Sequence, residues 1–440
     1  MVDEKTCMYC VEKVIGSFYN ERNFTFCNQK LEMRVEMNYR NLLKGGLAAA
    51  MAFTMAACGS NSGSASGSTD SQSSGDAGKT AFKLGGSGPL TGGAAVYGTA
   101  VYNALKIAVD EVNAAGDVQF ELDFQDDAHD PEKAVTAYGV LKDNGMQMSV
   151  LTVTSSPGAA VAPLYDEDNI FAITPSGSSL AVIYADASNK TGSYGNCFQM
   201  CFTDPNQGSA SAIYLKDHAD LGTKIAVIFK SDDNYSSGIN DTFQAEAKEI
   251  GLDIVYTGSF TEDSSTDFSV QLTQAKDAGA DLVFLPIYYD PASLILTQAN
   301  GMGYAPTFFG CDGLDGLLTL EGFDTALAEG VYMLTPFSAD APDDRTQNFV
   351  KKYKDLYGET PNQFAADAYD CVYAIAQALK NGNATPDMST DELTDILVKQ
   401  FTSMTYDGVT GESMTWAETG EVTKAPMAVV IKDGVYVGAE

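Results

Sequence analysis

The chain has 440 residues, 26 Lys+Arg against 59 Asp+Glu for a net charge of −33, and two histidines, His129 and His218. With 45% hydrophobic and 19% charged residues it can bury sizeable cores, and wholesale disorder is excluded. So acidic a surface repels phosphate backbones, which argues against nucleic acid as a partner, and two histidines do not furnish a His-rich metal cage, so neither a metal nor a cofactor is expected.

Residues 37–58 read MNYRNLLKGGLAAAMAFTMAAC. Arg40 and Lys44 form a basic start, Gly45 to Ala57 an apolar run of 13 residues, and Met55-Ala56-Ala57 puts small residues before Cys58. The run is too short for a bilayer, which takes about 20 residues, and has the layout of a secretory signal, here 37–57. Residues 59–78 hold eight Ser and five Gly, the composition of a flexible tether, taken as 58–79. Signal, cysteine and tether together describe a domain held at a membrane surface. Met37 then reads as the start, 1–36 as an over-extended one, and Cys7-x-x-Cys10 carries little weight. Removing residues 1–57 takes away seven basic and six acidic side chains and leaves 19 and 53, with Arg345 as the single arginine. Bidentate Arg clamps on an anion are therefore almost unavailable; hydroxyls, backbone N–H groups and helix N-termini must hold one.

From residue 81 onward, β-rich runs alternate with amphipathic ones. Strands are predicted at 81–85, 119–125, 148–154, 170–174, 224–229, 253–257, 281–287 and 307–310. Helices are predicted at 101–113, 132–143, 207–217, 240–250, 268–277, 291–300, 349–356, 362–380 and 391–401. Gly116, Gly145, Gly251, Gly279 and Gly301 read as helix stops. Met427–Val437 reads as a hairpin turning at Asp433-Gly434. Such alternation predicts α/β architecture with parallel sheets covered on both faces, in two lobes. Cys197 and Cys201 lie about 13 Å apart along one run, too far for a disulfide, and read as buried thiols.

In open parallel sheets ligands bind beyond the carboxyl ends of strands. Those ends here are Ser155-Ser156-Pro157, Pro175-Ser176-Gly177-Ser178, Ser231-Asp232-Asp233-Asn234-Tyr235, Tyr288-Tyr289-Asp290 and Cys311-Asp312-Gly313. Taken singly, each also fits a helix cap, a turn or interface packing. Together, hydroxyls in one lobe with a carboxylate and tyrosines in the other suit a small zwitterion, its ammonium on Asp312 and its carboxylate on Ser155, Ser178 and N–H groups.

Gly88-Pro89-Leu90-Thr91-Gly92, then Tyr97-Gly98 and a helix ending Asp110-Glu111-Val112-Asn113-Ala114-Ala115-Gly116, resembles the opening of the branched-chain amino-acid-binding proteins, the solute-binding subunits of ABC importers. Asp126-Asp127 with Asp130-Pro131, Ser155-Ser156, Ile173-Thr174-Pro175-Ser176, Asp204-Pro205-Asn206-Gln207-Gly208, Asn234-Tyr235 and Gly310-Cys311-Asp312-Gly313 follow in the family's order, so that the likeness covers residues 80–440. The Gly-rich opening is not a dinucleotide fingerprint, because from Gly86 the third glycine position is Thr91. The resemblance implies the type I periplasmic binding protein fold, two doubly wound parallel-sheet lobes joined by a hinge of crossing strands. We place one lobe at 80–203 and 335–420, the other at 204–334 and 421–440. It further implies that Ser155 binds the ligand carboxylate, that Ser178 contacts carboxylate and ammonium, that the Ser176 carbonyl and Asp312 hold the ammonium, that Tyr235 and Tyr288 close over the ligand, and that Tyr97 and Phe364 line its side-chain pocket. Many members have a disulfide whose positions correspond to His129 and Thr154, so it is absent here. Implied, too, are lipidation of Cys58, anchoring at the bacterial surface or in the periplasm, a membrane permease as partner, and a monomer. The expected ligand is an aliphatic, branched-chain amino acid; the alternative is an amide, urea or another small polar solute on the same fold. An enzyme is not expected: Ser155-Ser156 lacks the G-x-S-x-G elbow, and neither histidine follows a site strand of the second lobe.

Overall fold

The computed structural model describes residues 81–439. The expected signal, Cys58 and the tether lie outside the described residues. Among the described residues no helix is long and apolar enough to cross a membrane.

The first sheet contains β1 (Phe82–Gly88), β2 (Phe120–Asp126), β3 (Met148–Ser149), β4 (Ala172–Thr174) and β7 (Cys197–Gln199), all parallel, in the order β2-β1-β3-β4-β7. A small antiparallel hairpin, β5 (Tyr184–Asp186) with β6 (Thr191–Ser193), stands apart from it. The second sheet contains β8 (Lys224–Lys230), β9 (Asp253–Phe260), β10 (Leu282–Leu285), β11 (Thr307–Gly310), β12 (Tyr332–Thr335), β13 (Met427–Lys432) and β14 (Val435–Gly438). Its order is β14-β13-β12-β11-β10-β8-β9, and the last two strands are the expected hairpin, added antiparallel at the edge. Buried runs such as Leu282–Leu285 fit strands covered on both faces. The chain order reverses beside β1 in one sheet and beside β8 in the other, and those are the switch points at which such sheets open a crevice.

Helices α1 (Ala95–Ala115), α2 (Pro131–Asp143) and α3 (Ser155–Glu167) follow β1, β2 and β3; α4 (Asp204–Asp217), α5 (Asn234–Ile250), α6 (Ser269–Asp277) and α7 (Tyr289–Gly301) accompany the second sheet. Then α8 (Asp344–Tyr357), α9 (Gln363–Asn381) and α10 (Thr390–Phe401) return to the first lobe, where α9 packs on α1 and Phe401 on Phe171 and Phe198. The chain therefore passes between lobes after β7, after β12 and before β13. The parallel two-lobe fold is as expected.

Some local expectations fail for stated reasons. Only Met148–Ser149 of the 148–154 run pairs as a strand; Leu151 has a φ of 37°, which breaks the ladder although Val150 N and Leu151 O still bond to β1 backbone. Strand 281–287 shortens to Leu282–Leu285 and 170–174 to Ala172–Thr174. Gly301 is the last residue of α7 rather than its stop; Met302 caps it and Gly303 takes the left-handed turn at φ 59°. The strand β12 and the hairpin β5–β6 lie outside the strands the sequence predicts.

Where the chain passes back toward β13, Lys424 Nζ lies 2.6 Å from Asp367 of α9, both side chains 1% exposed. The same ammonium donates to Thr410 Oγ1, whose own hydroxyl and N–H bond to Asp370. A buried pair of this kind adds little net stability over an apolar isostere, yet removing one partner strands the other charge. Lys424→Met should lower unfolding free energy by about 3–5 kcal/mol in urea melts at pH 7.5; a loss below about 1 kcal/mol would show that the pair does not hold this crossing.

Candidate functional site

Three loops at strand ends are prearranged by side chains that turn back onto backbone. Asp126 accepts from Leu90 N and Thr91 Oγ1, pinning the Gly88–Gly92 loop, and Asp127 accepts from Ser87 Oγ and His129 N. At Gly98 a Cβ would meet Pro89 O at 2.0 Å, so only glycine lets α1 pack under this loop and present Tyr97. Thr174 Oγ1 accepts from Gly177 N at 2.7 Å and donates to Thr152 O, shaping the 175–178 turn.

The first lobe contributes hydroxyls. Ser155 opens α3 and is buried, its Oγ accepting from Ser179 N at 3.2 Å, which leaves its O–H to donate. The residue capping α3 is Thr154, but its side chain makes no cap bond; Thr154 Oγ1 instead meets His129 Nδ1 at 2.9 Å. The first-turn N–H groups of α3 are thus left available to an anion. The His129–Thr154 contact stands where the resemblance puts a disulfide, and burial lowers the His129 pKa, favouring the neutral ring. Ser176 turns its hydroxyl inward to Val153 O at 2.5 Å, so that only its backbone could serve a ligand. Ser178 Oγ is fully buried and has no hydrogen-bond partner.

The second lobe contributes aromatics and carboxylates. Tyr235 Oη donates to Asp312 Oδ1 at 2.7 Å and accepts from Gly313 N at 2.9 Å. The close approach needs Gly313, where a Cβ would lie 2.7 Å from Tyr235 Oη. Gln207 Nε2 donates to Asp312 Oδ2 at 3.2 Å. Tyr288 stacks on Tyr235, with centroids 4.8 Å apart, and meets Tyr97 and His129 edge-on. Tyr97 crosses from the first lobe, with its Oη donating to Gly313 O and accepting from Tyr289 N, and Phe364 packs on its ring at 4.3 Å. Tyr97, Tyr235, Tyr288, Asp312 and Phe364 therefore form one contiguous cluster across the lobes.

Asp204, at the start of α4, joins that cluster to the serines and was given no role by sequence reasoning. It is 1% exposed and neither carboxylate oxygen has a hydrogen-bond partner. Burial raises its pKa well above the usual range, with Asp312 and Asp233 adding repulsion; the neighbouring Ser178 hydroxyl lowers it, though without the geometry of a formed bond. Gln207 Oε1 is also buried and unpartnered. The missed signal was the Asp204-Pro205-Asn206-Gln207-Gly208 run, in which an Asp before Pro at a helix start reads as a capping device.

Burial pushes the Asp312 pKa up to about 7, against the Tyr235 and Gln363 side chains, which lower it; Asp367 raises it further. Among the described residues no Arg or His⁺ pairs with these carboxylates, and Lys424 is already engaged with Asp367. The site therefore presents orphan acceptors and carboxylates at one end, and at the other Ser155 with the α3 N-terminus. A group with several N–H donors suits the first and an anion the second. A separate cavity of about 500 Å³ lies between the lobes, bordered by Val96, Asp315, Phe337, Tyr353, Asn362 and Tyr436; none of the eight predicted ligand-binding residues lines it. Among the described residues no cluster suits a metal ion.

A family profile described as periplasmic binding protein matches residues 81–434. The chain belongs to the periplasmic binding protein family. It is 26% identical over 367 residues to a Leu/Ile/Val-binding protein homolog of Brucella melitensis, covering 81% of this chain and 93% of that one. An amino acid binding protein of Pseudomonas aeruginosa is 27% identical over 311 residues, 68% and 79% of the two chains. Among solved structures, the branched-chain amino acid transporter substrate-binding protein of Streptococcus pneumoniae in complex with isoleucine aligns with TM-score 0.72 and 25% identity, covering 82% of this chain and 99% of that one. A Rhodopseudomonas palustris solute-binding protein in complex with benzoate aligns with TM-score 0.70 at 18% identity, covering 82% and 95%, and speaks for the fold alone.

The buried carboxyls fix the sign of a pH effect. Asp312 stands at about 7, and Asp127, Asp315 and Asp367 at about 6, all raised from 3.8 chiefly by burial. Between about pH 4 and 7 the folded state then holds protons that the unfolded state has released, so stability falls as pH rises through that window. The unliganded protein should melt at higher temperature at pH 5.5 than at pH 7.5; calorimetry showing the opposite order would contradict the assigned burial.

Proposed function

We propose that this chain is an extracytoplasmic solute-binding lipoprotein of an ABC importer that captures an amino acid, of the aliphatic branched-chain class, between its lobes and delivers it to a membrane permease. The observation that carries the reading is the pairing of an unneutralised carboxylate end, Asp312 with Asp204, with a hydroxyl and helix-N-terminal end at Ser155 and Ser178. The ammonium sits between the two aspartates with the Ser176 carbonyl as a further acceptor; the carboxylate takes the Ser155 hydroxyl and the N–H groups of α3. Tyr97, Tyr288 and Phe364 enclose an aliphatic side chain, and Tyr235 positions Asp312. The names of the relatives support the amino-acid class. In this reading residues 80–203 and 335–420 form one lobe, 204–334 and 421–440 the other, and lipid on Cys58 holds the monomer at the membrane through its tether.

The second reading, an uncharged amide or urea, places only neutral N–H donors on the aspartates. The two separate in a thermal-shift panel of the twenty amino acids, urea and short amides, repeated on Asp312→Asn. A ligand at a hundredfold excess over Kd contributes about 2.7 kcal/mol. The amino-acid reading predicts shifts from Leu, Ile or Val that fall at least tenfold in apparent affinity in Asp312→Asn. Shifts from amides alone, or affinity unchanged in the variant, would overturn it.

A further inference from the structure

The lobes touch through a side chain that the ligand reading does not use. Ser156, the second residue of α3 in the first lobe, donates from its Oγ to Asp233 Oδ1 of the second lobe at 3.1 Å and accepts from Asn234 N at 3.3 Å. Asp233 is 3% exposed and its other oxygen caps α5 by accepting from Ser236 N at 3.0 Å. Two helix N-termini thus face each other across the cleft, α3 and α5, with one hydroxyl and one carboxylate between them. The positive ends of two helix dipoles repel at close range, and Asp233 supplies the negative charge that lets them meet. Ser156 completes the arrangement, because its single hydroxyl satisfies a carboxylate and an orphan N–H of the opposite helix together. It adjoins Ser155, so the anion site and this contact share one helical turn.

We propose that Ser156 is a positioning residue that latches the closed state: with Asp233 and Asn234 it holds the lobes together independently of ligand contacts, and so sets how long a captured solute stays. The inference rests on the reading of this chain as a two-lobe solute-binding protein, but its first test needs no ligand. A net hydrogen bond shifts such an equilibrium by roughly three- to tenfold.

Closure can be read elsewhere on the seam. Tyr289 N donates to Tyr97 Oη at 3.2 Å and Val96 N to Tyr289 Oη at 3.3 Å, both between lobes and both distant in sequence from Ser156. Hydrogen exchange followed by mass spectrometry on the full unliganded chain should show peptides covering Val96 and Tyr289 exchanging about three- to tenfold faster in Ser156→Ala, and at the wild-type rate in Ser156→Thr, which keeps the hydroxyl. Stopped-flow binding of L-leucine should show the dissociation rate raised by the same factor in Ser156→Ala, with the association rate and the rank order of Leu, Ile and Val unchanged. Alanine is tolerated in a helical first turn, so loss of fold does not confuse the result. Unchanged exchange at Val96 and Tyr289 in Ser156→Ala would overturn the latch. If leucine binds neither protein, the amino-acid reading falls and the exchange comparison still decides the latch.

Discussion

Asp204 and Asp312 are buried between the lobes, and among the described residues neither is paired with a cation. An isolated charge in such surroundings costs several kcal/mol, which is why these carboxyls hold their protons to higher pH than usual. Much of the cleft is arranged around that cost. Tyr235 and Gln207 each give Asp312 one hydrogen bond, Gly313 makes room for the tyrosine, and Lys424 balances Asp367 in the same interior. Asp204 receives no such help. In the proposed reading an arriving ammonium would supply the missing charge, and because Asp312 and Asp204 belong to the second lobe and the serines to the first, a zwitterion would satisfy both ends only when the lobes meet. On that reading binding free energy would be directed into closure, as expected of a ligand that favours one of two conformations.

The composition bears on how the opposite charge is met. Arg345, the single arginine among the described residues, donates to Gly408 O, so in the proposed reading hydroxyls and backbone N–H groups hold the carboxylate. The first lobe meets the need with geometry instead. Thr154 gives its hydroxyl to His129 rather than to the helix it precedes, and the first turn of α3 is left with open N–H groups beside Ser155. The His129–Thr154 hydrogen bond ties the loop after β2 to the start of α3, a neutral tie in place of a covalent one.

Much of this was legible in the sequence. The alternation of aliphatic runs with amphipathic ones marked nearly every strand and helix, because parallel strands covered on both faces leave an unbroken apolar signature. Ser155, Ser178 and Asp312 stood out as polar residues at successive strand ends, where the topology puts a crevice. Other features depend on what approaches in three dimensions. Leu151 breaks its ladder through a backbone angle that nothing in its composition announces. Asp204 looks like a first-turn carboxylate until burial strips it of partners. The Tyr97–Gly313 and Ser156–Asp233 contacts join residues 216 and 77 positions apart, beyond any local pattern.

The central claim is that the site recognises a zwitterion by both of its charges. The most direct measurement is calorimetric titration at pH 7.5 with L-leucine, with 4-methylpentanoic acid, which lacks the ammonium, and with L-leucinamide, which lacks the carboxylate. The account predicts that leucine binds and that each analogue binds at least a hundredfold more weakly, roughly 2.7 kcal/mol. Equal affinity for leucine and 4-methylpentanoic acid would contradict it, since Asp312 and Asp204 would then have no ammonium to hold.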